Sequence, residues 1–183
     1  GVLIRSCDVY QALGISLPDW VRRTQGFTRN AAAYEHRRDE AYLEMARRLD
    51  SALEAQCDLV IVDAVHGESA KRALMYDVCR AHGVAPTLLW CRCDDPAEVR
   101  RRIEAWRGRE RDPKNEASDL SVFRHIVSLW EDPESDPLGH GARASVLVYD
   151  TKALTLRVAG GARTPVVDVI HAALNGAGAV SPG

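Results

Sequence analysis

The chain has 183 residues, 46% of them apolar and 27% charged, and its 24 Lys and Arg against 26 Asp and Glu leave a net charge of -2. These proportions are those of an ordinary globular domain, and they exclude disorder, a collagen-like repeat and a small disulfide scaffold. They also exclude a protein that holds nucleic acid mainly by neutralising phosphates.

No apolar run approaches the roughly 18 residues of a membrane span, and no basic-then-apolar segment opens the chain. The expectation is a cytoplasmic protein without a membrane or strong non-specific nucleic-acid partner. Five cysteines, at positions 7, 57, 79, 91 and 93, are odd in number and scattered. That pattern reads as free thiols in a reducing compartment. Cys91-Arg92-Cys93 has no second Cys/His pair at zinc spacing, so core thiols are the better reading than a metal site.

Taken in chain order, the first predicted element is a buried strand at Val2–Arg5, which begins directly after Gly1 and reads as the middle of a fold. Residues 31–56 carry Tyr42, Met45, Leu49, Ala52 and Leu53 at three- and four-residue spacing, which makes one apolar helical stripe. Leu59–Asp63 is a second strand. Residues 68–82 form a helix with Leu74, Met75, Val78 and Ala81 on one side, stopped by Gly83. Thr87–Cys91 is a third strand. Asp95 then caps a helix with Pro96 in its first turn, and Glu98 completes an Asp-x-x-Glu box.

Ser118 is the expected cap of a helix bearing Val122, Phe123, Ile126, Leu129 and Trp130, which Asp132-Pro133 ends. Residues 132–144 read as a surface loop, Ser145–Tyr149 as a strand and Leu154–Val158 as a weaker one. A last helix runs from Thr164-Pro165 to Asn175-Gly176, with a frayed tail at 177–183. Apolar strands alternating with amphipathic helices imply a three-layer α/β/α domain over residues 1–176 with a mostly parallel sheet.

In such sheets ligands bind beyond the carboxyl ends of the strands. Asp8 follows the first strand and Asp63 ends the second. Four apolar residues and then Asp, as in Leu59–Asp63, have the shape of a Walker B strand, whose carboxylate suits Mg²⁺; an ordinary strand end has the same shape. Six arginines lie within residues 100–111. Arg100, Arg101 and Arg102 read as a solvated helix face paired with Glu98 and Glu104. Arg107, Arg109 and Arg111 lie in a Gly-containing stretch suited to closing over a triphosphate, since guanidinium forks onto phosphate oxygens. Lys71 and Arg72, near the strand ends, either meet an anionic substrate or lie on the surface. His66 reads as a local hydrogen-bonding residue rather than a catalytic one.

The order of these features, from Arg5-Ser6-Cys7-Asp8 through Leu59–Ala64, Lys71-Arg72, Cys91–Pro96, Arg107-Gly108-Arg109 and Glu116–Asp119, resembles the P-loop kinase-like ATPases. These are relatives of the polynucleotide 5′-hydroxyl kinases and the zeta-toxin kinases. The resemblance runs from about Val2 to Pro137. It implies ATP and Mg²⁺ as cofactors, and transfer of the γ-phosphoryl group to a hydroxyl acceptor, a small molecule or a nucleic-acid end. Asp8 would then be the base, Asp63 the residue near Mg²⁺, and Arg107 and Arg109 the lid arginines within a lid at 107–117. Arg5, Lys71 and Arg72 would face the substrate, and Arg111, Ser118 and Asp119 the nucleotide. Cys7 stands where the family often has Ser or Thr.

One departure is larger. Nothing in the chain fits G-x-x-x-x-G-K-[ST], and Gly160-Gly161 is followed by Ala162-Arg163. The loop that cradles the phosphates through its backbone N–H groups is missing, and with it a strand. Two readings stay open: part of a complete kinase, or a P-loop-less α/β binding domain.

Overall fold

A computed structural model describes residues 1–15, 31–107, 120–136, 145–160 and 165–177. Strand β1 (Val2–Arg5) runs without a loop into helix α1 (Ser6–Ala12). Helix α2 (Ala31–Glu54) leads to β2 (Val60–Asp63), α3 (Ser69–Ala81) to β3 (Thr87–Arg92), and α4 is Pro96–Arg107. Helix α5 (Leu120–Ser128) precedes a short 3₁₀ turn at Pro133–Ser135. Strands β4 (Ser145–Asp150) and β5 (Thr155–Gly160) and helix α6 (Pro165–Ala177) follow.

The apolar stripe expected on α2 is the centre of one core. Tyr42, Met45, Leu49 and Ala52 are all buried, and they pack with Ile4, Val9, Met75 and Cys79 from β1, α1 and α3. The α3 stop is as expected: Gly83 takes φ +68, a left-handed conformation that a side chain would strain. At α4, Asp95 Oδ1 accepts from the backbone N–H groups of Ala97 and Glu98 at 2.8 and 3.3 Å. The Glu98 carboxylate turns instead to Arg101 and Arg102, whose hydrogen bonds push its pKa down to about 2.

The fold is mixed α/β with mostly parallel pairing, as expected, but the strands lie in two sheets. β1 pairs with β2 in parallel, with Leu3 opposite Ile61 and Arg5 opposite Asp63. β3 pairs with β4 in parallel, and β4 with β5 antiparallel. The hairpin between β4 and β5 closes where Asp150 accepts from the N–H groups of Lys152 and Ala153, with Leu154 at φ 56. This tight turn moves β5 one residue later than its expected start. β4, flanked on both sides, has Val146, Leu147 and Val148 buried, whereas the apolar β2 and β3 keep Ile61 and Leu89 exposed.

Two expectations about residues 118–144 need correction. Helix α5 ends at Ser128 rather than at Asp132-Pro133; Asp132 instead caps the 3₁₀ turn, accepting from Glu134 N–H. The stretch after it is no plain surface loop, because Pro133 and Asp136 are buried. Ser118 and residues 137–144 lie outside the described residues.

Candidate functional site

β1 and β2 run in parallel register, so their carboxyl ends bring Arg5 and Asp63 side by side. One helical turn beyond Arg5, Asp8 accepts from its Nε at 2.8 Å and its Nη2 at 3.2 Å, a forked pair. Both side chains are part-exposed, 43% for Arg5 and 35% for Asp8. The hydrogen bonds and charge of Asp8 raise the Arg5 pKa, and Asp63 adds to the same effect. The two acids expected together do lie at one end of a sheet, Asp63 at the end of β2 and Asp8 in the first turn of α1 after β1. Arg5, expected to face a substrate, is ion-paired with Asp8 and stands opposite Asp63 in the strand register.

Asp8 also opens into a groove of about 440 Å³ along β1 and α2, lined among others by Leu3, Arg5, Glu44, Arg47 and Arg48. Glu44 pairs with Arg47 at 3.0 Å and with Arg48 at 2.9 Å, and those bonds hold its pKa below the usual carboxylate range. The groove is open and mixed in charge.

Asp63 is exposed at the end of β2. Burial first, and the Asp63 charge second, raise the pKa of the Cys91 thiol on β3. As a residue, however, Cys91 is exposed, so the expectation of a core thiol fails for it, while Cys79 is buried.

Arg72 is not placed for a substrate. Its side chain is 1% exposed and forms a forked pair with Asp136, while Nη1 donates to the carbonyls of His66 and Gly67 at 2.8 and 2.9 Å. Burial opposes the charge, but the Asp136 carboxylate outweighs it and raises the pKa. Tyr76 OH donates to Asp136 Oδ2 at 3.3 Å, and burial raises its pKa. Asp136 carried no local sequence signal; only its arrival beside Arg72 reveals it. Lys71, the other basic candidate there, pairs with Asp39 of α2.

His66 sits above this clamp, with its ring edge-on to Tyr42 at 5.6 Å between centroids. Burial, and then the positive charge of Arg72, lower its pKa to about 4, so the ring is neutral at pH 7. Its Nδ1 is buried without a hydrogen-bond partner among the described residues. The ring is held by burial and by Tyr42, while the hydrogen-bonding role expected of it is not filled at Nδ1.

Arg107 is the last residue of α4, and Arg109, Arg111, Ser118 and Asp119 lie outside the described residues. The pairing expected for the preceding arginines holds for Arg101 and Arg102 with Glu98. Arg102 adds hydrogen bonds to Thr151 Oγ1 and O at 2.8 and 2.9 Å, which tie α4 to the turn after β4.

An AAA domain family (AAA_33) matches residues 3–128, more than half of the 183-residue chain. The chain belongs to this family, whose character is P-loop NTPase-like, nucleotide-binding and kinase-like. No curated protein matches the chain. Among the described residues no helix is long and apolar enough to cross a membrane.

The fold family implies ATP and Mg²⁺, and the residues present fit only one half of that pair. Asp63 offers an exposed hard-oxygen ligand at a strand end, which suits a Mg²⁺ ion that keeps its waters and borrows phosphate oxygens. The phosphates themselves find no Gly-rich Lys-bearing loop anywhere in the 183 residues.

Proposed function

We propose that this chain forms the acceptor-side and lid portion of an ATP-dependent phosphotransferase acting on a hydroxyl group. The observation that carries the reading is the parallel register that sets Arg5 against Asp63, with Asp8 forked onto Arg5 beside an open groove. In this reading Asp8 is the base for the acceptor hydroxyl and the groove admits the acceptor. Asp63 supplies the Mg²⁺ ligand, and Arg107, Arg109 and Arg111 form the lid, with Ser118 and Asp119 on the nucleotide side. The phosphate cradle comes from outside residues 1–183. The net charge of -2 favours a small acceptor over a nucleic-acid end.

Transfer of labelled γ-phosphate from Mg·ATP to a panel of hydroxyl acceptors by the full-length protein tests this. Asp63→Ala and Arg109→Ala each lower the rate at least a hundredfold, the scale of lost charge stabilisation. Wild-type rates in both variants reject the assigned roles.

The alternative reading is a non-catalytic α/β binding or interaction domain. That reading predicts no transfer to any acceptor by the full-length protein.

A further inference from the structure

Asp63 ends β2, and residues 64–68 carry the chain to the start of α3 at Ser69. This segment has no helix or strand of its own, yet three consecutive carbonyls in it are bound. Tyr42 OH of α2 donates to Val65 O, and Arg72 Nη1 of α3 donates to His66 O at 2.8 Å and to Gly67 O at 2.9 Å. Glu131 N–H, beyond α5, adds a bond of 2.8 Å to Gly67 O. The donors therefore come from three parts of the chain far apart in sequence.

The end of the segment is fastened as well. The Glu68 carboxylate pairs with Arg38 of α2, and Ser69 N–H donates to the Glu131 carboxylate at 2.6 Å. The Trp130 ring lies so close that a Cβ at Gly67 would sit 3.2 Å from its Cε3. Arg72 is itself held, because Nη2 donates to Asp136 Oδ1 at 2.8 Å. A bound carbonyl orients its whole peptide plane, and only two soft dihedrals separate that plane from the next. Asp63 is thus set from its amino side by the β1–β2 register and from its carboxyl side by this loop.

A Mg²⁺ ion makes such precision matter, since it demands near-ideal octahedral geometry with ligands at about 2.0–2.1 Å. Groups that orient a ligand without touching the ion change metal affinity by roughly 10–100-fold when removed.

We propose that Arg72 and Tyr42 are positioning residues for Asp63, aiming its carboxylate through the bound carbonyls of residues 65–67. The inference rests on the reading of Asp63 as a Mg²⁺ ligand. It gives the buried guanidinium a part in a site that it never touches.

The test measures dissociation of Mn²⁺ from the full-length protein saturated with ADP, without turnover. Enhancement of water proton relaxation separates protein-held Mn²⁺ from Mn·ADP. Asp63→Ala weakens Mn²⁺ binding at least tenfold. Arg72→Lys keeps a cation for Asp136 but loses the planar fork that also reaches the carbonyls, and weakens binding at least fivefold. Tyr42→Phe removes one hydroxyl and weakens it at least threefold; this variant decides the question where Arg72→Lys does not fold. Leu147→Ala, a core truncation in β4, stays within twofold of the wild type. Wild-type affinity in Tyr42→Phe or in folded Arg72→Lys, or an equal loss in Leu147→Ala, overturns the positioning role alone. Wild-type affinity in Asp63→Ala overturns the ligand reading and the positioning role together.

Discussion

Asp136 holds Arg72 in a forked ion pair across a sequence separation of 64 residues, and both side chains are almost wholly withdrawn from water. The pair locks the segment after α5 onto the start of α3. It also fixes the loop after β2, because the same guanidinium binds the carbonyls of His66 and Gly67.

Removing one member strands a buried charge. Asp136→Ala is expected to destabilise the fold by about 3–5 kcal/mol, the usual cost of breaking a buried pair. Replacing both members by apolar residues, Arg72→Met with Asp136→Leu, recovers most of that loss. Urea unfolding midpoints of the two variants check this, and a double variant no better than the single one contradicts it.

His66 makes stability depend on pH. In the unfolded chain it titrates near its ordinary value of 6.5, and in the fold at about 4, so between these values the unfolded state binds more protons. The contribution is complete above pH 6.5 and declines as pH falls through that window, by on the order of 3 kcal/mol at its limit. His66→Gln removes this component. Chemical unfolding at several pH values then shows a shallower decline for the variant than for the wild type.

Opposite residues in the β3–β4 register respond differently to truncation. Leu147 is fully buried and Leu89 is 39% exposed. Leu147→Ala leaves a cavity and is expected to cost about 2–5 kcal/mol. Leu89→Ala removes a side chain already partly in water and costs below about 1.5 kcal/mol. Equal losses in thermal or urea unfolding mean that β3 is covered in solution.

The acceptor-side assignment predicts a particular kinetic pattern. Asp8→Asn keeps the shape of the carboxylate and, through its amide oxygen, one of the two hydrogen bonds from Arg5, but removes the base. The rate of phosphoryl transfer then falls at least a hundredfold, while KM for the acceptor changes little. A large rise in KM with unchanged kcat shows instead that Asp8 serves only to bind.

Much of the fold was legible from residues close in sequence. The stripe on α2, the Asp95 cap and the left-handed Gly83 are set by neighbours within a turn or two, where side-chain periodicity and backbone sterics act directly. The strand end carrying Asp63, and the end of β1 just before Asp8, were legible for the same reason. That Arg5, which holds Asp8, stands opposite Asp63 required the β1–β2 register. The lid role expected of Arg109 and Arg111 rests on composition and on the family resemblance, and both lie outside the described residues.

Other features had no local signature. Arg72 has the sequence context of a surface cation, and Asp136 sits in a stretch of prolines and acids that reads as solvent-exposed. Tertiary packing put both in the interior, where each is tolerable only because the other is there. The division of the strands into two sheets was likewise decided at this level. An apolar strand encodes its wish for neighbours but not which neighbours it finds, because edge pairing joins segments far apart in the chain. Periodicity and caps are short-range consequences of covalent geometry, while burial of charge and strand order follow from which distant segments exclude water together.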